Sequence, residues 1–250
     1  MERVKAAFED FGRMLFFAVE IFAWMFRPPF RPELILQQMA FIGVGSVFIV
    51  GVTGTFSGMV FGLQMNYAMK QFAAQGYVGG STAFALAREL SPVFTALMVT
   101  GRSGSAITTE IGTMRVTEQI DAMETMAVSP IQYLVVPRVI ASVAMFPVLT
   151  MLYSVLGYAG AYVMGVYVAG IPVGPFLDHT RGFVDPDDIY HGLLKALVFG
   201  LIVSVITTWR GYAATGGATG VGQGTTRAVV VSSIAILVAD YLITFAAVGA

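Results

Sequence analysis

Two long stretches without a charged residue restrict what this sequence can fold into. Between Glu33 and Lys70 lie 36 consecutive uncharged residues, and between Arg138 and Asp178 lie 39. About 20 apolar residues in a helix already cross the hydrocarbon core of a bilayer. Only 12% of all residues are charged and 56% are hydrophobic, so a soluble domain of this length would have too little polar surface. The sequence therefore predicts an all-α membrane protein.

Five transmembrane helices are predicted, preceded by one amphipathic helix. The spans cover roughly residues 37–63, 84–112, 137–168, 190–210 and 227–248, and residues 34–250 then form one five-span domain. Residues 1–33 form the amphipathic helix and a linker containing three prolines, which end the helix. Its apolar residues recur every three or four positions, which is typical of a helix lying in the membrane surface. These residues are Val4, Phe8, Phe11, Leu15, Val19 and Phe22.

The distribution of Lys and Arg over the connections predicts the orientation in the membrane. Nine of these residues fall on one side after five crossings, and four fall on or near the other. Cytoplasmic connections carry the excess of positive charge, so we expect a cytoplasmic N-terminus and a C-terminus on the outer side. The nine are Arg3, Lys5, Arg13, Arg27, Arg31, Arg115, Arg138, Arg210 and Arg227, and the four are Lys70, Arg88, Arg181 and Lys195.

Charged residues inside the predicted spans are candidates for function, because an ionised group in hydrocarbon is costly. Arg88 and Glu89 lie near the outer end of the second span, and Arg102 and Glu110 lie further along it. Asp240 stands in the last span, where it either pairs with an arginine of a neighbouring helix or marks a polar interface, and the sequence does not decide between the two. Snorkelling to an interface explains Arg88 or Glu110 as well, but explains Arg102 poorly.

Small residues in the first span predict close helix packing. Gly54, Gly58 and Gly62 form two overlapping GxxxG steps, and Gly157, Ala161 and Gly165 repeat the spacing in the third span. Such faces let helix backbones approach closely within a membrane. We expect packing within one chain from any single step, and infer a homo-oligomer because five spans enclose little space.

The segment after the second span predicts a short amphipathic helix of about 12 residues, at 117–128. Thr117 is a candidate N-cap, acidic residues follow in the first turns, and Pro130 lies just past the end. Apolar residues lie on one face of this helix, and acidic residues lie on another. This helix is either an interfacial connector or a docking site for a cytoplasmic partner. The apolar residues are Val116, Ile120, Met123 and Ala127, and the acidic ones are Glu118, Asp121 and Glu124.

Patterns for catalysis, metal or nucleic acid are weak. The chain has no Cys, two His and a net charge of -1, so it offers no thiolate metal site and no basic field for nucleic acid. It also lacks the Gly-Lys-Ser/Thr phosphate loop. Gly101-Arg102-Ser103-Gly104 matches the G-x-S-G signature of rhomboid-type intramembrane serine proteases, with His191 as a candidate base, but the two residues are predicted at opposite depths. An ion-coupled carrier using Arg102, Glu110 and Asp240 is a further alternative.

Taken together, the ordered motifs closely resemble the MlaE/YrbE family, the permease subunits of ABC transporters that work with MCE-domain proteins in bacterial lipid transport. The resemblance covers most of the chain from about residue 35 onward, and Ser91 stands where the family often has Gly. The motifs are Gly58-Met59-Val60-Phe61-Gly62-Leu63-Gln64, Arg88-Glu89-Leu90-Ser91-Pro92, Gly101-Arg102-Ser103-Gly104-Ser105-Ala106, Glu110-Ile111-Gly112-Thr113-Met114, Thr117-Glu118-Gln119-Ile120-Asp121-Ala122-Met123, Pro137-Arg138 and Thr225-Thr226-Arg227-Ala228-Val229-Val230.

This resemblance implies a homodimeric permease in the bacterial inner membrane, with two copies of a cytoplasmic ATPase below it and a hexameric MCE ring above it. The chain itself is then no enzyme and needs no cofactor. The resemblance also implies phospholipid or a related lipid as substrate, held in an outward-open cavity between the subunits. Lipid contacts carry over to Phe61, Met69, Phe72, Arg88 and Glu89, and ATPase coupling carries over to Thr117, Glu118, Gln119, Asp121, Met123 and Glu124.

Overall fold

Helices account for all the regular structure in the computed structural model, which describes residues 2–248 and the side chains of residues 8–247. Five helices of this range, α2, α3, α5, α7 and α8, are long and apolar enough to cross a membrane. The prediction of an all-α membrane protein with five spans is therefore confirmed. The helices are α1 (Glu2–Met25), α2 (Pro32–Lys70), α3 (Gln75–Val116), α4 (Gln119–Thr125), α5 (Ile131–Val168), α6 (Val173–Phe183), α7 (Pro186–Tyr212) and α8 (Gly217–Val248).

Several helix boundaries differ from those predicted. The second span begins at Gln75 and the fifth at Gly217, about ten residues before the predicted starts, because glycines and polar residues there obscured the helix. The connection between the third and fourth spans contains the unpredicted helix α6, which begins after Pro172. Tyr77 and His179 pack with their ring centroids 4.1 Å apart, so α6 lies beside the start of α3.

Helix α3 contains two π-helical turns, and both carry candidate charges. Arg88 and Glu89 lie in the turn Leu86–Leu90, and Arg102 lies in the turn Thr100–Gly104. A π turn adds one residue to a helical turn and is frequent at functional sites. After each π turn, the side chains therefore lie on a different face of α3 from the one expected for a regular α-helix.

The glycines of α2 pack against α5 within the same chain. A Cβ atom added at Gly58 would overlap the carbonyl oxygen of Gly157, and one added at Gly62 would lie 3.1 Å from the Cα atom of Ala161. At Gly54 the nearest atom, the carbonyl oxygen of Tyr153, would lie 3.0 Å away. The expected packing within one chain is confirmed, since any larger residue would push the two backbones apart.

The amphipathic helix α1 is present and contacts the bundle through a face that the pattern did not single out. Phe17 and Ile21 are buried, and Phe17 lies 5.3 Å from the ring of Trp209. Asp10 forms an ion pair with Arg210 at 2.7 Å. Five residues of the predicted apolar stripe remain exposed, as a helix lying in a membrane surface requires; these are Phe8, Phe11, Leu15, Val19 and Phe22. Val4 lies outside the described side chains.

Candidate functional site

A buried lysine joins three of the membrane-spanning helices. Lys195 of α7 has no exposed side-chain surface, and its Nζ atom forms ion pairs with Glu89 of α3 and, at 2.8 Å, with Asp240 of α8. Nζ also donates a hydrogen bond to Oγ1 of Thr244, 2.7 Å away, which in turn donates to Glu89. All three protons of the ammonium group therefore have acceptors, as burial of a charge requires.

Beside this cluster, Arg88 binds the N-terminal turn of α7. Its Nη1 atom lies 3.0 Å from Oδ1 of Asp188, and the Arg88 side chain is 23% exposed. Oδ2 of Asp188 accepts a hydrogen bond from the backbone N–H of Asp185, which forms a capping box at the start of α7. The cap fixes the carboxylate, and the carboxylate orients the arginine.

Sequence reasoning found two of the three charged residues in the Lys195 cluster but missed the lysine. The distribution of Lys and Arg over the connections places Lys195 on or near the outer side of the membrane. The sequence leaves two roles open for Asp240, a pair with an arginine of a neighbouring helix or a polar interface. The structure shows an ion pair with a neighbouring helix, but the cation is Lys195 and not an arginine. The spacing of nine residues from Pro186 puts Lys195 about 13 Å into the helix.

Arg102 lies deeper in the second span and binds neutral oxygens. Its Nη1 atom donates to the Phe41 carbonyl oxygen at 3.1 Å and lies within 3.3 Å of the hydroxyls of Ser46 and Ser103. A Cβ atom at Gly45 would overlap the guanidinium group. Within residues 8–247, no carboxylate lies within salt-bridge distance of Arg102.

The geometry around Ser103 excludes the proposed protease dyad. The Ser103 hydroxyl is buried and hydrogen-bonds to Ser46 and Arg102. Thr108, five residues along, donates a hydrogen bond to the carbonyl oxygen of Thr207, so this part of α3 packs on α7 far from His191. Sixteen residues separate His191 from Thr207, which corresponds to about 24 Å along a helix. A serine nucleophile needs its base within hydrogen-bond distance.

Glu110 pairs with Arg138 towards the other end of the bundle. The ion pair measures 2.8 Å and joins α3 to α5, with Arg138 5% exposed and Glu110 52% exposed. Nη1 of Arg138 also donates to the carbonyl oxygen of Leu134 at 2.6 Å. An exposed carboxylate that holds a buried arginine is typical of an interfacial position, where Glu110 keeps access to water.

The short helix after the second span is present, but it is shorter than predicted and Thr117 does not cap it. α4 spans Gln119–Thr125, and Glu118 precedes it with φ of 61°. Thr117 instead donates its hydroxyl to the carbonyl oxygen of Thr113 in the last turn of α3. The 12-residue estimate and the Thr117 cap are therefore wrong, because α3 continues to Val116 and leaves the Thr117 side chain bonded to its last turn.

The two faces of α4 divide largely as the pattern indicated. Ile120 is fully buried and Met123 packs against the core, whereas Ala127 lies beyond the helix and is exposed. Glu118, Asp121 and Glu124 are exposed. Asp121 binds Arg115 at 2.6 Å, and Glu124 accepts a hydrogen bond of 3.1 Å from the hydroxyl of Tyr212. Gln119 donates to Thr117.

The apolar residues suggested as lipid contacts lie on α2 and just after it. Phe61 is half-buried, and Phe72 is 78% exposed. Met69 packs against the small cluster of Val78, Ile171 and Phe176 between α3 and α6. The ion pairs draw Arg88 and Glu89 towards α7 instead, so the role of these five residues as one lipid site stays a prediction.

The site consists of charged groups and hydroxyls. Within the described part of the chain, no group of three or more His, Cys, Asp or Glu side chains has the arrangement of a metal site. The Lys195 cluster places one cation between two anions at the meeting point of three spans. Such a cluster changes its energy when one helix moves, because a buried charge that loses its partner is strongly destabilising.

Known proteins similar to this chain share its length and class. The family described as "Permease MlaE" matches residues 35–246. A "Probable ABC transporter permease protein" of Rickettsia bellii is 42% identical over 94% of this chain and 91% of its own length. A similarly named protein of Synechocystis is 43% identical over 84% and 80% of the two chains.

A third relative has a more specific name. The "Intermembrane phospholipid transport system permease protein MlaE" of Haemophilus influenzae is 39% identical over 87% of this chain and 84% of its own length. The family match over residues 35–246 extends across all five spans, so the agreement does not depend on one motif. The chain therefore belongs to the MlaE permease family and is a multi-pass membrane subunit of a transporter, not an enzyme.

Proposed function

We propose that this permease moves phospholipid or a related lipid between the bacterial inner membrane and a periplasmic MCE-domain partner. The energy comes from ATP hydrolysis on a separate cytoplasmic ATPase, since the chain has no phosphate loop of its own. The name of the Haemophilus relative, a phospholipid transport permease, supports the substrate class. The names of the other relatives, ABC transporter permeases, support the ATPase.

One structural relationship carries this proposal: the same two helices connect the buried charges to the exposed acidic helix. Helix α7 contains Lys195 and ends at Tyr212, which binds Glu124 of α4. Helix α3 contains Glu89 and ends near Arg115, which binds Asp121 of α4. Lys195 and Tyr212 lie about 26 Å apart along α7. A movement of α4 therefore reaches the charged cluster along two helices, α3 and α7.

We assign the exposed face of α4 to the ATPase, and the end of the bundle that carries α4 to the cytoplasm. The predicted orientation supports this, since α1 and the connections that carry most of the Lys and Arg share that end. Met126, 67% exposed at the end of α4, adds an apolar contact beside the acidic residues. A docking surface of this kind combines an apolar anchor with a charged rim.

The lipid site in this proposal lies between two copies of the chain, one per ATPase, under a hexameric MCE ring. Phe61, Met69 and Phe72 contact the acyl chains. Arg88 binds the head-group. Asp188 accepts a hydrogen bond from Nη1 of Arg88, and the other N–H groups of the guanidinium are suited to bind a phosphate. Glu89 lies at the mouth beside it.

The decisive experiment reverses the charge of α4 in a reconstituted system. The variant Glu118→Lys with Asp121→Lys should abolish ATP-driven lipid transfer between liposomes and release the ATPase, while the permease keeps its oligomeric state. Glu33→Lys is the matched control, because Glu33 is an exposed acidic residue in the first turn of α2 and should transfer lipid normally. Unchanged transfer by the double variant would contradict the coupling assignment.

A further inference from the structure

An apolar crevice opens on the side of the bundle, between α3, α5, α6 and α7. Its volume is about 270 Å³. Its lining contains none of the five residues assigned to the lipid site proposed above, although Ala87 of the wall directly precedes Arg88. The wall includes Ala83, Leu86, Met151, Val155, Val184 and Leu193.

The polar groups along this crevice are almost all satisfied by the protein itself. The hydroxyl of Tyr158 donates to Oγ1 of Thr180 at 2.9 Å, and Thr180 donates to the carbonyl oxygen of Phe176 at 2.8 Å. Ser154 donates to the carbonyl oxygen of Thr150 at 3.0 Å. Only Oγ1 of Thr150, which is 2% exposed, has no partner within the described residues. The wall therefore offers carbon atoms to an occupant and a single free hydroxyl.

The mouth of the crevice is exposed and apolar, and it opens beside α5 and the first turns of α7. Met151 is 41% exposed, Val155 61% and Ile189 38%. Water is a poor occupant, because a buried water needs two to four polar partners and this wall leaves one. The medium that surrounds a span at this depth is hydrocarbon. An apolar occupant from the bilayer fits both the wall and its surroundings.

The volume restricts the occupant to one chain. A cavity of about 150 Å³ holds a benzene molecule, so this crevice takes roughly ten carbon atoms, and whole ligands fill pockets of about 300–1,000 Å³. We propose that the crevice binds one hydrocarbon chain of a resident membrane lipid, with its head-group beyond Tyr158 at the end that carries α6. The inference depends on the membrane span alone and does not require that this lipid is transported.

Photolabelling tests this proposal on the full chain in liposomes. The probe is phosphatidylethanolamine with a diazirine in the middle of one acyl chain, and labelled peptides are mapped by mass spectrometry. We expect adducts on the crevice walls of α5 and α7, around Ser154 and Leu193. Ala83→Phe fills the crevice with a ring. Because excluding two methylene groups already weakens binding roughly tenfold, those adducts should fall at least that much.

Two further variants make the result specific. Val163→Phe adds the same ring at an exposed position of α5 outside the crevice and should leave the crevice adducts unchanged. Thr150→Val removes the free hydroxyl with little change of shape and should keep or raise them. Equal labelling of wild type and Ala83→Phe, or loss of labelling in Thr150→Val, would overturn the proposal.

These readouts are independent of lipid transport. Resident-lipid binding is measured without ATPase or MCE partner, so a failure of the transport proposal leaves the labelling result intact. Conversely, if Ala83→Phe still transfers lipid but no longer gives crevice adducts, the lipid bound in the crevice is not the lipid that is transported.

Discussion

The Nζ atom of Lys195 lies 2.8 Å from Oδ1 of Asp240, and this contact joins the fourth span to the fifth inside the bundle. Glu89 binds the same nitrogen from the second span. Carboxylates are rare in membrane spans and persist there when they are paired. Both carboxylates therefore depend on a single lysine, and the energy of the cluster is sensitive to the relative positions of three helices.

Replacing this lysine should destabilise the protein strongly. Lys195→Met leaves two carboxylates facing each other without a cation, and breaking a buried pair costs about 3–5 kcal/mol. We expect a clear fall in the thermal unfolding temperature in detergent, measured by circular dichroism, and loss of lipid transfer. Glu33→Lys serves as the control for a charge change at an exposed site and should unfold as the wild type does.

A charge-free version of the cluster separates stability from transport. The triple variant Lys195→Met, Glu89→Gln, Asp240→Asn removes the unpaired charges and should recover much of the lost unfolding temperature, because uncharged replacements of buried pairs are often neutral. We expect it to remain inactive in lipid transfer. Full activity in a stable triple variant would show that the cluster only holds the helices together.

The fold was largely predictable from the sequence, for a simple physical reason. An uncharged run of more than about 20 residues is long enough to cross a bilayer as a helix, and few other structures suit it. The glycines of α2 indicate a close helix contact even when the partner helix is not known. The direction of a single charged side chain is harder to predict. Lys195 near a helix end fits snorkelling and burial equally well, and only the positions of α3 and α8 decide between them.

Local irregularities explain the other differences. The π turns at Leu86–Leu90 and Thr100–Gly104 rotate the helix between Arg88 and Arg102, which a constant period of 3.6 residues cannot represent. Helix α6 was missed because Pro172, Gly174 and Pro175 resemble a loop. In α1, Phe17 and Ile21 are buried against the protein, while the regular apolar stripe is exposed. The spacing of apolar residues alone does not distinguish a face that packs on protein from a face that lies in the membrane surface.

The contact between α2 and α5 should be intolerant of a single methyl group. In Gly58→Ala the new Cβ atom would overlap the carbonyl oxygen of Gly157, and overpacking of this kind costs typically about 1–3 kcal/mol. Gly222→Ala is the matched control, since nothing lies within 4 Å of its added Cβ atom. We expect only Gly58→Ala to lower the unfolding temperature in detergent, and equal values for both variants would contradict the observed packing.

Gly45 and Arg102 should behave as a coupled pair. Gly45→Ala alone displaces the guanidinium group from the Phe41 carbonyl oxygen, because the added Cβ atom occupies its position. In the background of Arg102→Ala that space is free, so the same change should cost little. A double-mutant cycle on thermal unfolding should give a coupling energy of about 0.5–3 kcal/mol. Additive effects of the two changes would show that the two residues do not share this space.

The last turn of α7 should hold α4 and α1 through separate contacts. Tyr212→Phe removes the hydrogen bond to Glu124 but keeps the ring, which packs 5.5 Å from Phe17. A hydrogen bond contributes about 0.5–1.5 kcal/mol, so amide hydrogen exchange over residues 119–125 should accelerate roughly 2- to 10-fold. Exchange in α1 should stay as in the wild type.

Asp10→Ala provides the reciprocal variant. It removes the ion pair with Arg210 and the acceptor for the indole N–H of Trp209, which lies 3.2 Å from Asp10. Exchange should then accelerate in α1 and not in residues 119–125, because Tyr212 still binds Glu124. If either variant loosens both helices equally, α1 and α4 form one cooperative unit at this end of the bundle, and the ATPase would move them together.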